Sequence, residues 1–424
     1  MNIEISKLSN GLTVVTDPMA KLESAALGVW VSTGSRNELP PEMGLSHMLE
    51  HMAFKGTTSR NARQIAEEIE AVGGYLNAYT SREQTAFHAR VLKNDVPLAL
   101  DIVADILVNP TFAAAELERE RQVVLQELGQ ARDTPDDIIF DHLQNVIYRG
   151  QPLGWSILGE EATVAAFTPR ALRDYSGRQY RADTMILVSS GAVSHRHIVA
   201  MTEEKFARLA TGSAGRTPPA HYVGGDIRVE DDLEQAHVVY AFPGVASGDA
   251  DFYVAQIHAM VLGGGMSSRL FQEVRERRGL CYSIYAFTNN FQDTGFTGIY
   301  AGTGETETAE ISAVIAGEME AMTGAVSEAE LARAKAQLKS GLLMGLERPG
   351  TRAEQIAGQI FTFDRVQSVA EIVAQIDAVD GAALKRYGTG IMTQPSMAAV
   401  GPIKKLERHD VFAARFAHKR EAAE

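Results

Sequence analysis

The chain has 424 residues, of which 45% are hydrophobic and 22% charged, as expected for a globular protein with two or more domains. Its 54 acidic residues outnumber the 40 basic residues, and the net charge of −14 argues against nucleic acid or an anionic membrane surface as a general partner. The one cysteine, Cys281, excludes an intrachain disulfide, and no apolar run approaches the roughly 20 residues that span a membrane.

The first half of the chain predicts strands and helices in a clear order. Residues 25–35 read as a strand, and residues 44–54 have the apolar spacing of a helix. Residues 59–74 predict a second helix that ends at two glycines, and residues 75–92 then read as strands. This order of strand, helix, helix and strands can be compared with the second half.

The second half repeats the same order after a predicted linker. Residues 208–222 are rich in small residues, glycine and proline and lack apolar periodicity, as is typical of a linker. A strand-like segment, 236–248, begins the second half. The segments SRNARQIAEEI…GGYLNAYTS and SRLFQEVRER…GLCYSIYAFTN are parallel, which indicates a diverged internal duplication of about 200 residues.

This organisation predicts two homologous domains of the α+β class. The predicted boundaries are 1–210 for the N-terminal domain, 211–223 for the linker and 224–424 for the C-terminal domain. Strands gathered before and between the helices favour mainly antiparallel sheets over a doubly wound parallel sheet.

The stretch GLSHMLEHMAFKGT, residues 44–57, contains two histidines four residues apart and a glutamate directly before the second. On a helix, residues four apart lie one turn above each other, so His47 and His51 offer two imidazole nitrogens to one ion. Glu50 lies on the adjoining strip of the same face. The pattern H-x-x-E-H is the inverzincin signature. The alternative interpretation of these residues is a pair of surface histidines beside a glutamate.

A catalytic zinc site needs a third protein ligand and an open position for water. The helix predicted over residues 113–133 is the obvious source of that ligand. Its candidate carboxylates are Glu116, Glu118, Glu120 and Glu127. Spacing alone does not choose between them, although the last two are seven residues apart and therefore share a face. The alternative is a solvated charged stripe, which is common on helices rich in glutamate and arginine.

Three segments closely resemble the M16 metallopeptidases, and within them the mitochondrial processing peptidase group and its bacterial relatives: HMLEHMAFKGT, GGYLNAYTSREQTAF and ERERQVVLQELGQARDTPDD. The resemblance runs through nearly the whole chain and implies a clamshell-like pair of domains with one Zn²⁺ per chain. The family motif places a glutamate 76 positions after the second histidine, which implies Glu127 as the third ligand. It also implies that Glu120 supports the site from outside the ligand set.

The chemistry implied by such a site is metal-assisted peptide hydrolysis. Zinc lowers the pKa of a bound water to about 7, so a nearby carboxylate accepts its proton at neutral pH. Glu50 is one helical step from both histidines and is the expected general base, which then passes the proton to the leaving amine.

The second half predicts a different contribution. It lacks an H-x-x-E-H motif, and His258 in QIHAMVLGGG stands alone, as a satisfied structural histidine usually does. The segment LFQEVRERRGLCYSIY matches a substrate-facing Arg…Tyr pair of the family at Arg275 and Tyr282. The resemblance implies that this guanidinium and this phenol stabilise the oxyanion of the reaction.

The resemblance also implies an extended, basic peptide as the substrate. Asn77 and Ala78 match an edge strand that pairs with the peptide backbone, although an ordinary interior strand is equally compatible with the sequence. Asp137 and Asp141 match an acidic clamp for an arginine upstream of the cut, whereas the alternative is that Asp136 and Asp137 serve as carboxylates of the first helical turn. Phe54 matches a pocket residue for the side chain after the cut, or else packs in the core. The acidic net charge is compatible with a cationic substrate and equally with a role in solubility.

A homodimer is the expected assembly, because the chain carries both the metal motif and the Arg/Tyr motif. Only a short glycine-rich segment, residues 262–268, stands where the processing peptidases have a longer loop in a separate subunit. The competing interpretation is a structural or partner subunit of an M16-type complex with little or no activity. The N-terminal residues resemble neither a secretory signal nor a transit peptide, so we expect a bacterial cytoplasmic protein, with a processed mitochondrial matrix form as the alternative. Neither nucleic acid nor membrane is expected as a partner.

Overall fold

The computed structural model describes residues 3–215 and 217–417, which form two compact units. Unit 1 combines the described residues up to Gly129 with Trp155–Pro218 and Met344–Val366. Unit 2 combines Gln130–Gly154, Pro219–Leu343 and the described residues from Gln367 onward.

These units differ from the predicted division into 1–210, 211–223 and 224–424. Residues 130–154 lie in unit 2 and residues 344–366 lie in unit 1, because a helix from each segment packs on the sheet of that unit. The outer ends of the predicted division fall outside the described residues, and the boundaries of the homologous domains stay a prediction.

The strands of the described residues are, in chain order, β1 (Glu4–Lys7), β2 (Thr13–Pro18), β3 (Ser24–Val31), β4 (Tyr75–Thr80), β5 (Thr85–Leu92), β6 (Met185–Gly191), β7 (Asp226–Glu230), β8 (Ala236–Pro243), β9 (Cys281–Asn290), β10 (Gly295–Thr303) and β11 (Ser396–Gly401).

The α-helices of the described residues are, in chain order, α1 (Leu45–Ala53), α2 (Ala62–Ala71), α3 (Val96–Val108), α4 (Ala114–Arg132), α5 (Pro135–Ile147), α6 (Glu161–Ala166), α7 (Pro169–Gln179), α8 (His195–Lys205), α9 (Phe252–Gly263), α10 (Thr308–Ala321), α11 (Glu328–Gly345), α12 (Pro349–Phe363), α13 (Val369–Ala378), α14 (Gly381–Ile391) and α15 (His409–Ala414). A π-helix at Phe271–Arg277 lies between α9 and α10.

Unit 1 is built on a six-stranded sheet in the order β1–β2–β6–β3–β5–β4. Its neighbouring strands are antiparallel except for the parallel pair β2 and β6. Strand β3, SAALGVWV, is apolar along its length because both of its faces are covered. Leu27 and Val29 pack in the core that contains α1 and α3, whereas Trp30 packs with residues of α12.

Unit 2 repeats this arrangement on a five-stranded sheet in the order β7–β11–β8–β10–β9. The parallel pair here is β7 and β11. Tyr240 and Phe242 of β8 pack in the core that contains α9 and α10, and Val239 and Ala241 pack with α5 on the opposite face. In each sheet one strand of a hairpin, β4 or β9, lies at an edge.

The predicted α+β class with mainly antiparallel sheets is therefore confirmed. The edge position of β4 also resolves the alternative that it is an interior strand. Among the residues that the structure describes, no helix combines the length and the apolar composition needed to cross a membrane.

Candidate metal centre

Helix α1 begins at a glycine that no other residue replaces without strain. Gly44 has φ 89°, and a Cβ on it would lie 2.6 Å from the backbone oxygen of Leu158. The buried Glu38 carboxylate accepts hydrogen bonds from the N–H groups of Gly44 (2.9 Å) and Ser46 (2.7 Å), which satisfies free donors of the first turn. Burial raises the pKa of Glu38 to about 8, although these two backbone donors oppose the shift.

The apolar face of α1 determines which side chains remain available. Leu45, Met48, Leu49 and Met52 are buried in the core of unit 1. Helical spacing then places the histidines and Glu50 on the opposite strip, where they are only partly buried.

Three donor atoms converge beside this strip. The Nε2 atoms of His47 and His51 are 3.2 Å apart, and Glu127 Oε2 of α4 lies 3.7 Å and 3.6 Å from them. The donors of a tetrahedral zinc site lie about 3.3 Å apart, because zinc–nitrogen bonds measure about 2.0–2.1 Å. Two imidazoles and one carboxylate thus have the chemistry and the spacing to hold a metal ion, and the three form a potential metal-binding group within 4.8 Å.

Glu120 lies behind this group rather than in it. Its Oε2 is 3.1 Å from His51 Nδ1, and its Oε1 is 2.8 Å from the Lys55 ammonium. A carboxylate in this place accepts a hydrogen bond from the Nδ1–H group, which leaves Nε2 free as a ligand. Glu120 is 6% exposed, so Lys55 also compensates its buried charge.

The other two candidate carboxylates of α4 point elsewhere. Glu116 pairs with Arg119, and Glu118 pairs with Arg121. The three-dimensional structure therefore selects Glu127 and Glu120 from the four glutamates that spacing left open.

Glu50 lies beside the donors and is held by strand β4. The Thr80 hydroxyl at the end of β4 donates to Glu50 Oε2 at 2.6 Å. Burial raises the pKa of Glu50 above its ordinary value, and the Thr80 hydrogen bond opposes this shift. Burial also lowers the pKa of His47 to about 4, which keeps its imidazole neutral, as a ligand must be.

Comparison with known proteins explains this arrangement. Residues 13–161 match the family described as Insulinase (Peptidase family M16), and residues 166–338 match the Peptidase M16 inactive domain. The chain is 40% identical to an uncharacterized zinc protease of Rickettsia felis over 89% of this chain and 93% of that protein. The chain belongs to peptidase family M16.

Other M16 proteins place it more closely. It is 36% identical to a probable mitochondrial-processing peptidase subunit beta of Arabidopsis thaliana, over 97% of this chain and 80% of that protein. It is therefore processing-peptidase-like. Its fold is similar to a protease from Helicobacter pylori with a TM-score of 0.87 and 22% identity, covering 95% of this chain and 99% of that chain.

The M16 substrate residues that the sequence predicts in unit 1 lie on β4 and at the end of α1. Asn77 and Ala78 lie on the free edge strand, where the Asn77 side chain donates to the Tyr75 hydroxyl at 2.6 Å. Phe54 packs against the unit 1 core, with its ring centroid 6.2 Å from that of Phe87. Core packing of Phe54 is thus confirmed, and its role in a substrate pocket stays a prediction.

The predicted substrate residues of unit 2 lie on three separate elements, namely α5, the π-helix and β9. Pro135 begins α5 as expected, Asp137 is exposed in its first turn, and Asp141 is partly buried one turn later. The Arg275 guanidinium lies 4.7 Å from the Phe271 ring centroid and 5.1 Å from that of Tyr282. Their roles in substrate binding stay predictions.

His258 differs from the expectation in one respect. It is fully buried in α9, as a structural histidine should be, but neither ring nitrogen has a hydrogen-bond partner among the described residues. Burial lowers the pKa of His258 to about 4, and the nearby Arg269 acts in the same direction.

Sequence reasoning missed the side chains that support the site. Glu38 contacts the first turn of α1, Lys55 neutralises Glu120, and Thr80 orients Glu50. Each acts through a contact between separate elements, and no local sequence pattern predicts that contact. The segment GGYLNAYTS offered one usable signal, since a threonine at the end of an edge strand has a free hydroxyl.

Proposed function

We propose that this M16 protein is a zinc-dependent endopeptidase that cleaves extended, basic peptides. The observation that carries the proposal is the convergence of His47, His51 and Glu127, whose donor atoms are 3.2–3.7 Å apart. Glu50 lies on the same strip of α1 and is held by a hydrogen bond of 2.6 Å from Thr80.

In the proposed reaction a zinc ion held by these three residues would supply a water of lowered pKa and a positive charge for the peptide carbonyl. Glu50 accepts the proton of the attacking water on its free oxygen, Oε1, as the water oxygen bonds to the carbonyl carbon. Glu50 then donates that proton to the amide nitrogen as the carbon–nitrogen bond breaks. Thr80 keeps Oε2 in place throughout.

Glu120 is proposed as a positioning residue. By accepting a hydrogen bond from His51 Nδ1–H, it keeps the imidazole in the tautomer that presents Nε2 as a ligand. It touches no reacting atom in this scheme.

The proposed substrate class rests on the edge strand β4 and on the acidic residues of α5. β4 has a free edge, and an extended peptide can pair with its backbone near Asn77 and Ala78 without strong sequence preference. Asp137 and Asp141 are four residues apart on α5, so their carboxylates lie on one side of that helix and suit an arginine of the peptide. Phe54 is proposed to contact the side chain that follows the cut.

Arg275 and Tyr282 are proposed to contact the same peptide. Tyr282 is 76% exposed, and the guanidinium of Arg275 stacks on its ring, so both groups present donors to solvent. Donors of this kind stabilise the oxyanion of acyl transfer.

The test is cleavage of a quenched peptide with arginine just upstream of the expected cut. We expect cleavage that a chelator abolishes and that added Zn²⁺ restores, with about one zinc per chain. Protein that carries no zinc and cleaves no peptide would instead indicate a structural or partner subunit.

The arginine clamp has its own test. In the double variant Asp137→Asn, Asp141→Asn, kcat/KM for the arginine peptide should fall about tenfold or more relative to the same peptide with citrulline. Asp136→Asn, a neighbouring exposed carboxylate, is the matched control. If the ratio of kcat/KM for the arginine and citrulline peptides is unchanged in the double variant, Asp137 and Asp141 do not form an arginine clamp.

We also propose a homodimer, since one chain carries both motifs. Glu50→Gln and Arg275→Ala variants should each be inactive alone. Native mass measures the assembly, and a mixture of the two variants tests whether the motifs act across subunits. Recovery of activity in the mixture means that they do, and a monomeric mass contradicts the dimer.

A further inference from the structure

A cleft of about 560 Å³ lies within unit 1, on the side of the sheet that faces away from α1. The sheet separates the two sides, since Leu27 and Phe87 pack with α1, whereas Trp30 packs with α12. Neither the metal donors nor Glu50 line the cleft.

Aromatic side chains form the walls of the cleft, and a small residue forms its floor. Trp30, Tyr75 and Tyr79 line it on the sheet side, and Pro349 closes it from the start of α12. Its floor is low because Ala26 has only a methyl group there. Gly28, two residues further along β3, leaves room for the Trp30 ring, because a Cβ on Gly28 would lie 2.9 Å from that ring.

The charged side chains that line the cleft are exposed, and His88 is a partly buried neutral lining residue, because burial lowers its pKa. Glu347, Arg348, Glu354 and Arg90 are all exposed around the entrance, so the two acidic and two basic groups balance each other. Their contacts hold the walls in position: Tyr79 donates to Glu354 at 3.0 Å, and the Arg90 guanidinium lies 4.8 Å from the centroid of the Tyr75 ring. Such an entrance gives no net attraction for an ionic side chain, while the interior favours an apolar one.

Strand β4 connects the cleft with the proposed cleavage site. Its side chains alternate, so that Leu76 and Ala78 pack against the α1 side, whereas Tyr75 and Tyr79 line the cleft. Thr80, the residue bonded to Glu50, lies about 16 Å from Tyr75 at about 3.3 Å per residue. A peptide paired with β4 alternates in the same way and directs every second side chain towards the cleft.

We propose that this cleft is a second specificity site, which takes a bulky aromatic or aliphatic side chain of the peptide three to six residues from the scissile bond. The inference rests on the proposed function, because the peptide reaches the cleft only as an added strand on β4. It predicts a sequence preference beyond the residues next to the cut.

The experiment uses the full-length protein and two series of quenched peptides. Each series carries Phe, Leu, Ala or Lys at the third to sixth positions from the cut, upstream in one series and downstream in the other. A matched short peptide ends at the second position on that side. We expect kcat/KM for Phe or Leu to exceed that for Ala by about tenfold in one series.

Two variants change the cleft in opposite ways. Ala26→Phe fills it, and Pro349→Ala removes the wall at the start of α12, at a partly exposed position that has no contact with Asn77 in the structure. Both should reduce the preference to about twofold and leave kcat/KM for the short peptide within about twofold. Ile5→Thr, an exposed apolar residue on the opposite edge strand, is the matched control.

A second measurement does not depend on turnover. In the inactive Glu50→Gln background, fluorescence anisotropy should show the long Phe peptide binding about tenfold more weakly when Ala26→Phe is added.

The outcomes separate the two proposals. Wild-type protein that cleaves the short peptide but shows no apolar preference, or prefers lysine, overturns the cleft and leaves the proposed function intact. An apolar preference that persists in both cleft variants also overturns the cleft proposal. If the wild-type protein cleaves no peptide and the Glu50→Gln variant binds none, both the proposed function and the cleft proposal are overturned.

Discussion

Helices α1 and α9 occupy corresponding places in the two units and have different surfaces. In unit 1, β3 precedes α1, which packs on β4. In unit 2, β8 precedes α9, which packs on β9. Helix α1 presents a polar strip with two imidazoles, whereas α9 is buried along almost all of its length and packs against α13 and α14.

The two helices share a packing role but differ in what surrounds them. Both helices serve the same packing role, since each joins a sheet to its core. The donor group needs in addition an uncovered face and a second helix, α4, that brings Glu127 within 3.7 Å of the histidines. His258 has neither, and its ring lies 5.3 Å from that of Tyr387 in the unit 2 core.

The largest expected effect is on α1. Glu50→Gln should lower kcat by about 10²–10⁴-fold because it removes the proton acceptor, while the zinc content stays the same. Steady-state kinetics and elemental analysis check both halves of this outcome. Retained turnover would exclude Glu50 as the base, and lost zinc would make it a ligand instead.

Glu120→Gln should weaken zinc binding by about 10–100-fold, because His51 loses the carboxylate that fixes its tautomer. Competition with a chromophoric chelator measures this affinity. Glu116→Gln, on the same helix but paired with Arg119, is the matched control. Equal zinc affinities in the two variants would contradict the positioning role.

His258 on α9 is buried, unlike the two histidines of α1. Its folded-state pKa is about 4 and the ordinary value is 6.5, so below pH 6.5 the unfolded chain binds a proton that the folded chain does not. Stability from this group is therefore complete above pH 6.5 and is lost as pH falls towards 4. Its neighbours Arg269 and Tyr387 supply no carboxylate to oppose this.

His258→Leu should accordingly make the free energy of unfolding less dependent on pH between 6.5 and 4, by about 2 kcal/mol over that window. Urea unfolding at several pH values measures it, with the exposed His197→Gln as the control for replacing a histidine. Zinc content should not change. A His258→Leu profile parallel to that of the wild type would contradict the buried, neutral state.

The smallest effect is expected at Thr80. Thr80→Val removes the hydroxyl that donates to Glu50 at 2.6 Å, and kcat should fall about threefold to tenfold, in line with the net contribution of about 0.5–1.5 kcal/mol from one hydrogen bond. Thr80→Ser keeps the hydroxyl and should retain most of the activity. If the two variants lose equal activity, the hydrogen bond is not the cause.

Much of this arrangement could be predicted from sequence where it depends on local spacing. The histidine pair, the apolar face of α1 and the glycine stop after α2 all follow from helical periodicity. Glu127 required the family motif, because four glutamates of α4 fit the spacing equally well.

The remainder depends on contacts between elements that are distant in sequence. The apolar faces of α5 and α12 are visible in the sequence, but nothing local shows that each helix packs on the sheet of the other half of the chain. Glu38, Lys55 and Thr80 likewise reach the site only after folding. The cleft beneath α12 depends on strand pairing, since Ala26, Arg90 and Tyr75 become neighbours through register.

X-ray absorption at the zinc edge, on protein purified without added metal, tests the donor group most directly. We expect about one zinc per chain, bound by two imidazole nitrogens and oxygen, and a strongly reduced zinc content in Glu127→Gln. Absence of zinc from intact protein, a spectrum without imidazole, or full zinc retention in Glu127→Gln would contradict the metal centre described for α1 and α4.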